Sequence, residues 1–255
     1  MIILDRLSTG YDRNMILSSV SATLADGKLT GIIGPNGCGK STLLKAISGI
    51  LPAAEGKILL DGQDIRSLSR RKKAQKISFL PQMRIPPDMT VEILASHGRY
   101  PHLGARRSLS PADQAQVEKA LLETQAISFR HQPLQQLSGG ERQRAYLAML
   151  LAQNASHMLL DEPTTYLDIS HQMQLMQHAR ALAQQGKTVL RVIHDLSHAF
   201  QTADNLILMC DGEVVAEGTT ERIYASGWIE KVFHVRLGRA ETPGGWRYYC
   251  EEGDS

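Results

Sequence analysis

The chain has 255 residues, of which 42% are hydrophobic and 21% are charged, and its formal net charge is +2. This composition is typical of a soluble globular protein with a substantial core. A charge so close to zero gives no support to a nucleic-acid-binding protein, which usually carries a strongly basic face. No stretch reaches the roughly 18 consecutive apolar residues of a membrane-spanning helix, and the first residues lack a signal-peptide pattern, so we expect a cytoplasmic protein.

The first third of the chain alternates apolar and polar residues with the period of β-strands. Strands are predicted over residues 2–7, 16–24, 28–33 and 57–60, with Asp-Gly turns between or after them. Tyr11 lies between the first two strands among polar neighbours. It is either a partly buried loop residue or an exposed ring that stacks on a nucleotide base, and the residues alone leave both interpretations open.

The segment after the third strand has the spacing G-x-x-x-x-G-K-[ST]. Its residues are Gly34, Pro35, Asn36, Gly37, Cys38, Gly39, Lys40, Ser41 and Thr42. A strand that enters such a loop and a helix that leaves it are the context in which the motif binds phosphate. The glycines turn backbone N–H groups inward, Lys40 contacts the outer phosphates, and Ser41 holds Mg²⁺. An ordinary flexible turn needs no Lys-Ser-Thr at this offset, so we predict a nucleoside triphosphate site.

The middle of the chain has a different composition. A solvated helix is predicted at residues 67–76, and a buried strand at 77–80 ends beside Gln82. Two consecutive prolines then break the chain, and helical periodicity follows over residues 90–97 and 111–126. This region is predicted to be a helical insertion with a small core of its own.

A second glycine-rich helix start follows the insertion, in the sequence Leu-Ser-Gly-Gly-Glu. Ser138 with Glu141 three residues later forms a capping box ahead of the apolar helix 145–152, which is the purely structural interpretation. Gly139 and Gly140 each weaken that helix by roughly 1 kcal/mol relative to alanine. This cost is easier to explain if a ligand approaches the bare N–H groups closely, so we also predict a second anion site.

Residues 157–160 form a short apolar strand that ends in two acids, Asp161 and Glu162. Such acids can simply cap the next helix, which is predicted over residues 169–184. In a chain with a phosphate loop they have a catalytic use. Asp161 is then expected to hold Mg²⁺, directly or through water, and Glu162 to orient and deprotonate the attacking water.

Residues 188–193 form another buried strand, and His194 follows it directly. The spacing from His194 to His198 resembles the zinc motif H-E-x-x-H, with Asp in place of Glu. We reject the zinc interpretation because a histidine at a strand end does not share a helical face with one four residues later.

The last part of the chain contains one clear signal, a hairpin over residues 206–217. The tail from residue 219 has mixed polarity, and its acidic end at 251–255 is predicted to fray. Three scattered cysteines form neither a disulfide framework nor a zinc site, and the one in the phosphate loop is expected to be a packing residue. They are Cys38, Cys210 and Cys250.

Four motifs follow one another in an order that is typical of one protein family. They are the phosphate loop, Leu-Ser-Gly-Gly, Leu-Leu-Asp-Glu-Pro and a strand-terminal histidine. From about residue 3 to about residue 220, the chain resembles the ATP-binding subunit of an ABC transporter. The resemblance implies an α/β fold with a P-loop NTPase (RecA-like) core, an antiparallel β subdomain and an inserted α-helical subdomain. The implied bounds are 1–86 with 154–220 for the nucleotide-binding core, 87–153 for the helical subdomain and 221–255 for a C-terminal tail.

The resemblance also implies roles for the matching residues. Tyr11 is similar to the aromatic residue that stacks on adenine, and His194 to the switch histidine that contacts the γ-phosphate. Glu162 resembles the catalytic base. Gln82 resembles the glutamine that links the Mg²⁺ and water site to the helical subdomain and the membrane partner. ATP and Mg²⁺ are the implied cofactors.

A second copy of the chain is the first implied partner. Ser138, Gly139 and Gly140 are expected to close over ATP bound to the opposite subunit, and Asp168 to communicate across the dimer. Both sites then form only in a head-to-tail dimer, which explains why one chain carries two anion sites.

Two segments resemble the importers of ferric siderophores, haem and vitamin B12. They are Gly98-Arg-Tyr-Pro-His102 and residues 161–172. This resemblance implies uptake of an iron chelate through a separate membrane permease, with a substrate-binding protein as an indirect partner and no nucleic acid. The subunit is then expected to lie at the cytoplasmic face of the inner membrane.

The alternative is a soluble ABC ATPase that assembles iron–sulfur clusters, which shares every nucleotide motif. The segment 98–102 favours the importer. ABC proteins of DNA repair or translation have a long coiled-coil insertion or tandem cassettes, and this chain has neither. A small-molecule kinase leaves residues 137–140 unexplained.

Overall fold

The computed structural model describes residues 1–12, 14–81, 85–104, 108–161, 169–243 and 245–252, with only the backbone for 169–175. The chain forms two compact units. The first joins Met1–Leu68 to Met176–Ser255, and the second is Ser69–Leu175. The subdomain bounds expected from the sequence stay a prediction. None of the described helices is long and apolar enough to cross a membrane.

The described residues contain twelve strands and nine α-helices. The strands are β1 (Ile2–Tyr11), β2 (Asn14–Leu24), β3 (Leu29–Ile33), β4 (Glu55–Leu60), β5 (Gln63–Asp64), β6 (Ile77–Leu80), β7 (His157–Leu160), β8 (Thr188–Val192), β9 (Asn205–Cys210), β10 (Glu213–Thr219), β11 (Val235–Thr242) and β12 (Gly245–Glu252). The helices are α1 (Lys40–Ile47), α2 (Arg70–Lys76), α3 (Val91–His97), α4 (Pro111–Glu123), α5 (Gly139–Gln153), α6 (Ile169–Gln184), α7 (Leu196–Thr202), α8 (Thr220–Ala225) and α9 (Trp228–Phe233).

In the first unit, an antiparallel sheet has the strand order β2-β1-β4-β5. Buried residues such as Leu17 and Leu24 recur along β2, as expected for a sheet with one face on the core. The predicted strands are confirmed, but β1 continues past residue 7 to Tyr11. Arg6 has a φ of 47° and the pairing with β2 shifts register nearby. This bulge interrupts the alternation and explains why the sequence pattern ends early.

The same unit contains parallel strands. β3 pairs in parallel with β8 and with β9, and β10 adds antiparallel to β9 as the predicted hairpin. Every residue of β3 and β8 is buried, which is typical of strands covered on both faces. Because neighbouring parallel strands end at one edge of the sheet, the segments that follow β3 and β8 start from the same edge.

The C-terminal segment is more ordered than the sequence predicts. Residues 220–252 form α8, α9 and the hairpin of β11 and β12. Leu237 and Tyr248 are buried in a core cluster with Phe200 of α7. The prediction of a frayed end is wrong for residues 251 and 252, which belong to β12, and residues 253–255 lie outside the described part.

The second unit contains the parallel pair β6 and β7 together with α2 to α5. Helices α3, α4 and α5 pack on one another through apolar residues that include Leu94, Val117 and Leu147. Their capping residues set where they begin, since Thr90, Ser110 and Ser138 each accept a hydrogen bond from the backbone of the first turn. The predicted helices of this region are therefore confirmed.

Asp113 joins two parts of the helical unit. Its carboxylate accepts from the backbone N and the hydroxyl of Ser110, and from Arg99 Nε at 2.9 Å. Arg99 also donates to the Ala152 carbonyl at 2.7 Å, which ties the segment after α3 to the end of α5. The bonds from Ser110, followed by the hydrogen bond and the charge of Arg99, lower the pKa of Asp113 from 3.8 to about 2.

We expect Asp113→Asn to destabilise the protein in a pH-dependent way. The folded-state pKa lies below the unfolded value, so the stabilisation is complete above about pH 4 and is lost as the pH falls through about 2. The expected loss is about 2 kcal/mol at pH 7 and under about 1 kcal/mol at pH 2.5. Urea unfolding at both pH values measures it. Asp5→Asn, in an exposed pair with Arg6, is the control. An equal loss at both pH values would contradict the assignment.

Candidate nucleotide-binding site

The loop between β3 and α1 has a backbone shape that requires glycine. Gly34 has a φ of 155°, and a Cβ there would lie 2.3 Å from the Met209 carbonyl oxygen and 2.7 Å from Cys38 Sγ. Gly39 is the N-cap of α1; no side chain of the described residues caps this end, and its first turn contains no acidic residue. The N–H groups of that turn and the helix dipole therefore attract an anion to this end of α1.

Lys40 folds back over the loop. Its side chain is buried, and Nζ donates to the carbonyl oxygens of Gly34 at 2.8 Å and Pro35 at 2.7 Å. Cys38 Sγ lies 3.9 Å from the same ammonium, and burial raises the pKa of the Cys38 thiol. Phosphate oxygens can replace the two carbonyls as acceptors for this ammonium. The remaining predicted residues of the loop and the first turn of α1 are Asn36, Gly37, Ser41 and Thr42.

Tyr11 is the last residue of β1, and 42% of its surface is exposed. Its hydroxyl accepts a hydrogen bond from Lys45 Nζ at 3.3 Å, and this ammonium lies 5.6 Å from the ring centroid. The contact ties the ring to the helix that follows the phosphate loop. Tyr11 also lines an open cleft of about 460 Å³ with Met15 and Pro52, which has room for a nucleobase.

Lys45 was not among the predicted site residues. Its contact with Tyr11 joins α1 to the end of β1, and these elements are far apart in sequence. The only signal in the sequence is that Lys45 follows Ser41 by about one helical turn. That spacing places Lys45 on the same side of α1 as Ser41, but it does not predict the contact with the Tyr11 ring.

His194 lies at the same sheet edge as the phosphate loop. Ile193 N donates to the Ile32 carbonyl at 3.0 Å, which continues the pairing of β3 and β8 to the ends of both strands. Asp195 caps α7 by accepting from His198 N at 2.9 Å, so His194 is outside the helix and His198 inside it. The two histidines do not share a helical face, as the sequence predicts.

A buried cation lies in the strand that leads to His194. Arg191 is 1% exposed, and burial lowers the pKa of its guanidinium to about 10. Its Nε and Nη1 atoms have no hydrogen-bond partner among the described residues. Burial first, and then the charge of Arg191, lower the pKa of His198.

In the second unit, Asp161 follows β7 directly. Its backbone N donates to the Leu80 carbonyl at 2.9 Å, one step beyond the last residue pair of β6 and β7. The residue is only 3% exposed. A buried carboxylate at the carboxyl end of a parallel strand is the arrangement that the sequence predicts, and its oxygens suit Mg²⁺.

The N-terminus of α5 contains the predicted capping box. Ser138 Oγ accepts from Glu141 N at 3.3 Å and donates to Glu141 Oε2 at 2.7 Å, while Ser138 N donates to the same oxygen at 2.9 Å. These bonds from Ser138 lower the pKa of Glu141. The helix begins at Gly139, so both glycines lie in its first turn.

The structure therefore groups the predicted site residues in two sets. The first unit contains Tyr11, the phosphate loop and His194, and the second contains Asp161 and the segment Ser138–Gly140. Gln82, Glu162 and Asp168 lie outside the described residues, and their roles stay predictions.

Comparison with known proteins identifies the family. The sequence profile described as ABC transporter matches residues 17–165, more than half of the chain. The chain belongs to the ABC transporter family. As an ABC transporter ATP-binding protein it binds ATP and is an ATPase, and the predicted α/β ABC ATPase fold is confirmed.

Similar proteins and a similar solved structure support the assignment to the ABC transporter family. The iron(3+)-hydroxamate import ATP-binding protein FhuC of Bacillus subtilis is 39% identical over 233 residues, which cover 91% of this chain and 87% of that protein. The ferric enterobactin transport ATP-binding protein FepC of Escherichia coli is 40% identical over 241 residues, covering 94% and 89%. A dimeric post-hydrolysis structure of the ATP-binding cassette MJ0796, bound to ADP and Pi, is 27% identical, with a TM-score of 0.75 over 86% of this chain and 99% of that one.

Proposed function

We propose that two copies of this chain hydrolyse ATP head to tail and drive the import of a ferric siderophore through a separate permease. The observation that carries the proposal is the phosphate loop, with an uncapped α1 N-terminus and the Lys40 ammonium over it, at the sheet edge where β8 leads to His194. This arrangement suits a polyphosphate, and His194 is proposed to contact its outer end. FhuC and FepC, by their names, serve ferric hydroxamates and ferric enterobactin, and this likeness supports the cargo class.

In this proposal ATP binds at the interface between the two copies and contacts both. One copy contributes the phosphate loop and Tyr11, and the other contributes Ser138, Gly139 and Gly140 from the start of α5. Charge-assisted hydrogen bonds from that second helix end to the phosphates favour the closed dimer. The dimeric MJ0796 cassette with ADP and Pi supports this arrangement. Asp168 is proposed to communicate across the same interface.

The oxygen donors of the predicted magnesium set fit a hard cation. Ser41 follows the phosphate-loop lysine, and Asp161 is a buried carboxylate at a strand end. With Gln82 they offer hydroxyl, carboxylate and amide oxygens, which are the ligands that Mg²⁺ prefers. When bound, Mg²⁺ neutralises charge that develops on the phosphate oxygens.

Hydrolysis transfers the γ-phosphoryl group to water. Glu162 orients the water and takes one of its protons while the oxygen attacks the γ-phosphorus in line. The bond from that phosphorus to the bridging oxygen breaks, giving ADP and inorganic phosphate. His194 donates to the γ-phosphate and fixes its direction. Loss of the γ-phosphate removes contacts that hold the dimer closed, so the two copies separate.

The permease places the protein at the cytoplasmic face of the inner membrane, and a substrate-binding protein delivers the cargo. The segment after α3, near residues 98–102, supports an importer over a soluble assembly ATPase for iron–sulfur clusters. Its backbone is bonded to α2, since Arg71 and Gln75 donate to the Pro101 carbonyl, and the His102 ring contacts the Gln153 carbonyl of α5. A rigid surface segment of this kind suits transmission of motion to a partner.

Ser138→Arg tests the shared site. We expect it to abolish steady-state ATPase activity while the Kd for ATP of the isolated chain changes by less than about twofold, because Ser138 serves the opposite copy's nucleotide. Phosphate release and ATP titration measure the two quantities. Ser110→Arg is the matched control, since Ser110 caps α4 through the same type of capping box with Asp113. A large loss of ATP affinity in the Ser138 variant would contradict a site that acts across the dimer.

Mixing Ser138→Arg with Lys40→Ala sharpens the test, at an ATP concentration that fills the wild-type site but not the weakened site of the Lys40 variant. Ser138→Arg retains an intact phosphate loop and Lys40→Ala retains an intact α5 start, so a mixed dimer contains one complete site. An equal mixture should recover up to about one quarter of the wild-type rate, because half of random dimers are mixed and each has one complete site.

In cells that lack this chain, wild type but not Ser138→Arg should restore uptake of iron supplied as a ferric siderophore. Full-speed hydrolysis by a verified monomer, or restored uptake by the variant, would overturn the proposal.

A further inference from the structure

Helix α7 is short and begins immediately after His194. It spans seven residues, and its N-cap is Asp195, the neighbour of His194 in sequence. An isolated helix of this length is not stable in water, so α7 depends on the elements that pack against it. The position of α7 in turn limits where the His194 side chain can point, because only Asp195 separates them.

The inner face of α7 rests on the C-terminal hairpin as well as on the sheet. Ala199 and Phe200 belong to a buried cluster that also contains Ile193, Leu237 and Tyr248. The Phe200 and Tyr248 rings have centroids 4.9 Å apart at an interplanar angle of 38°. Tyr248 is 6% exposed and is the one residue of β12 that is buried.

Further contacts fix the direction of β12 along α7. Near the end of the helix, Arg247 Nη1 donates to Gln201 Oε1 at 3.4 Å. Helix α7 and strand β12 also pack directly against each other. The side-chain contacts between the two elements thus involve Phe200 and Gln201 of the helix. Tyr248 also contacts Tyr224 of α8, with ring centroids 5.6 Å apart, so its ring is held from two sides.

We propose that Tyr248 is a positioning residue for ATP hydrolysis, which acts through Phe200 and α7 on His194. The inference rests on the proposed function, in which His194 directs the γ-phosphate. Tyr248 itself is buried in the C-terminal cluster, and its ring partners belong to α7 and α8. Its proposed role is to hold α7 at a fixed distance from the sheet edge. His194, which precedes the N-cap of α7, is thereby held in place as well.

Tyr248→Ala is the direct test in the full-length protein. We expect kcat for ATP to fall by about tenfold or more, because a displacement of about 1 Å at a reacting group costs on the order of 100-fold. The Kd for ATP should stay within about twofold of wild type, because the bonds that hold the Lys40 ammonium are made within the loop itself, to Gly34 and Pro35. Tyr248→Phe keeps the ring and should retain the wild-type kcat. Tyr248→Leu keeps an apolar side chain and serves if the alanine variant fails to fold.

Tyr249→Ala is the matched control. Tyr249 is the next residue of β12, but it points to the other face of the hairpin, where its ring lies across Gly238 so closely that a Cβ on this glycine would be 2.5 Å from the ring. It is 44% exposed. Its removal affects the hairpin without touching α7, so kcat should remain near the wild-type value. Equal losses of kcat in the Tyr248 and Tyr249 variants would mean a general effect of hairpin stability and would overturn the inference.

A double-mutant cycle with His194→Ala tests whether the effect passes through His194. If it does, Tyr248→Ala causes little further loss of kcat in the His194→Ala background, whereas independent effects multiply. Hydrogen exchange of residues 194–202 should also rise in the Tyr248 variant, with no rise in residues 34–42. Multiplying effects, or an unchanged kcat in an active protein, overturn the inference alone. Absence of ATP turnover in the wild type would overturn the proposed function and this inference with it.

Discussion

Replacing Glu162 with glutamine is expected to stop ATP turnover while ATP still binds. Glutamine has nearly the shape of glutamate but cannot accept the proton of the attacking water. Loss of a general base typically costs between about 100-fold and 10,000-fold in rate, so we expect kcat to fall by at least about 100-fold. The γ-phosphate then remains in place, and ATP should accumulate the closed dimer. Phosphate release measures turnover, and light scattering with and without ATP measures the dimer.

The exposed surface of α4 provides a control for this substitution. Glu118→Gln makes the same chemical change on the exposed face of that helix, and we expect no change in kcat or in dimer formation. Brisk hydrolysis by the Glu162 variant would remove the assignment of the base and shift attention to His194. A variant that neither hydrolyses nor binds ATP would indicate a structural role for Glu162.

Lys40→Ala is expected to weaken ATP binding itself. Hydrogen bonds to charged groups are worth roughly 1.5–3 kcal/mol, which corresponds to an increase in Kd of about 10- to 150-fold. The Lys40 ammonium lies within 2.8 Å of the carbonyl oxygens of Gly34 and Pro35, and these bonds hold its charge over the loop. Titration with a fluorescent ATP analogue measures the Kd, and competition with ATP confirms the site.

Lys72→Ala removes an exposed lysine from α2 and should leave the Kd unchanged. Circular dichroism of the Lys40 variant separates lost binding from lost structure, because its side chain is buried. An unchanged Kd in the folded variant would mean that backbone N–H groups hold the phosphates without the lysine. In that case the role given to its ammonium would be wrong.

The parts of the site that the sequence predicts are those whose chemistry depends on local spacing. The phosphate loop, the acid after β7, the histidine after β8 and the capping box at Ser138 all involve residues close together in the chain. Each is set by one turn, one strand end or one helix start, so a motif contains the necessary information. The contact between Tyr11 and Lys45 depends instead on how β1 meets α1, which no local pattern records.

The C-terminal hairpin shows why parts of the fold escape sequence analysis. In β12 the buried residue is Tyr248, so no alternation of apolar and polar residues marks the strand. Its burial comes from Phe200, far away in the chain. Arg191 is a second case, because a charged residue within an apolar run gives no indication that its guanidinium is enclosed. In both cases tertiary packing determines the burial of the side chain, and the local sequence does not predict it.

The start of α5 already carries an anion of its own. Glu141 is held at Ser138 by three hydrogen bonds, with its pKa lowered, so a carboxylate is present there at neutral pH. In the proposed dimer, a phosphate bound at this helix end would lie near that carboxylate. Repulsion between the two anions would offset part of the attraction from the helix N-terminus and so weaken nucleotide binding. The capping box satisfies the backbone N–H groups of Ser138 and Glu141, so these two groups need no phosphate as a partner.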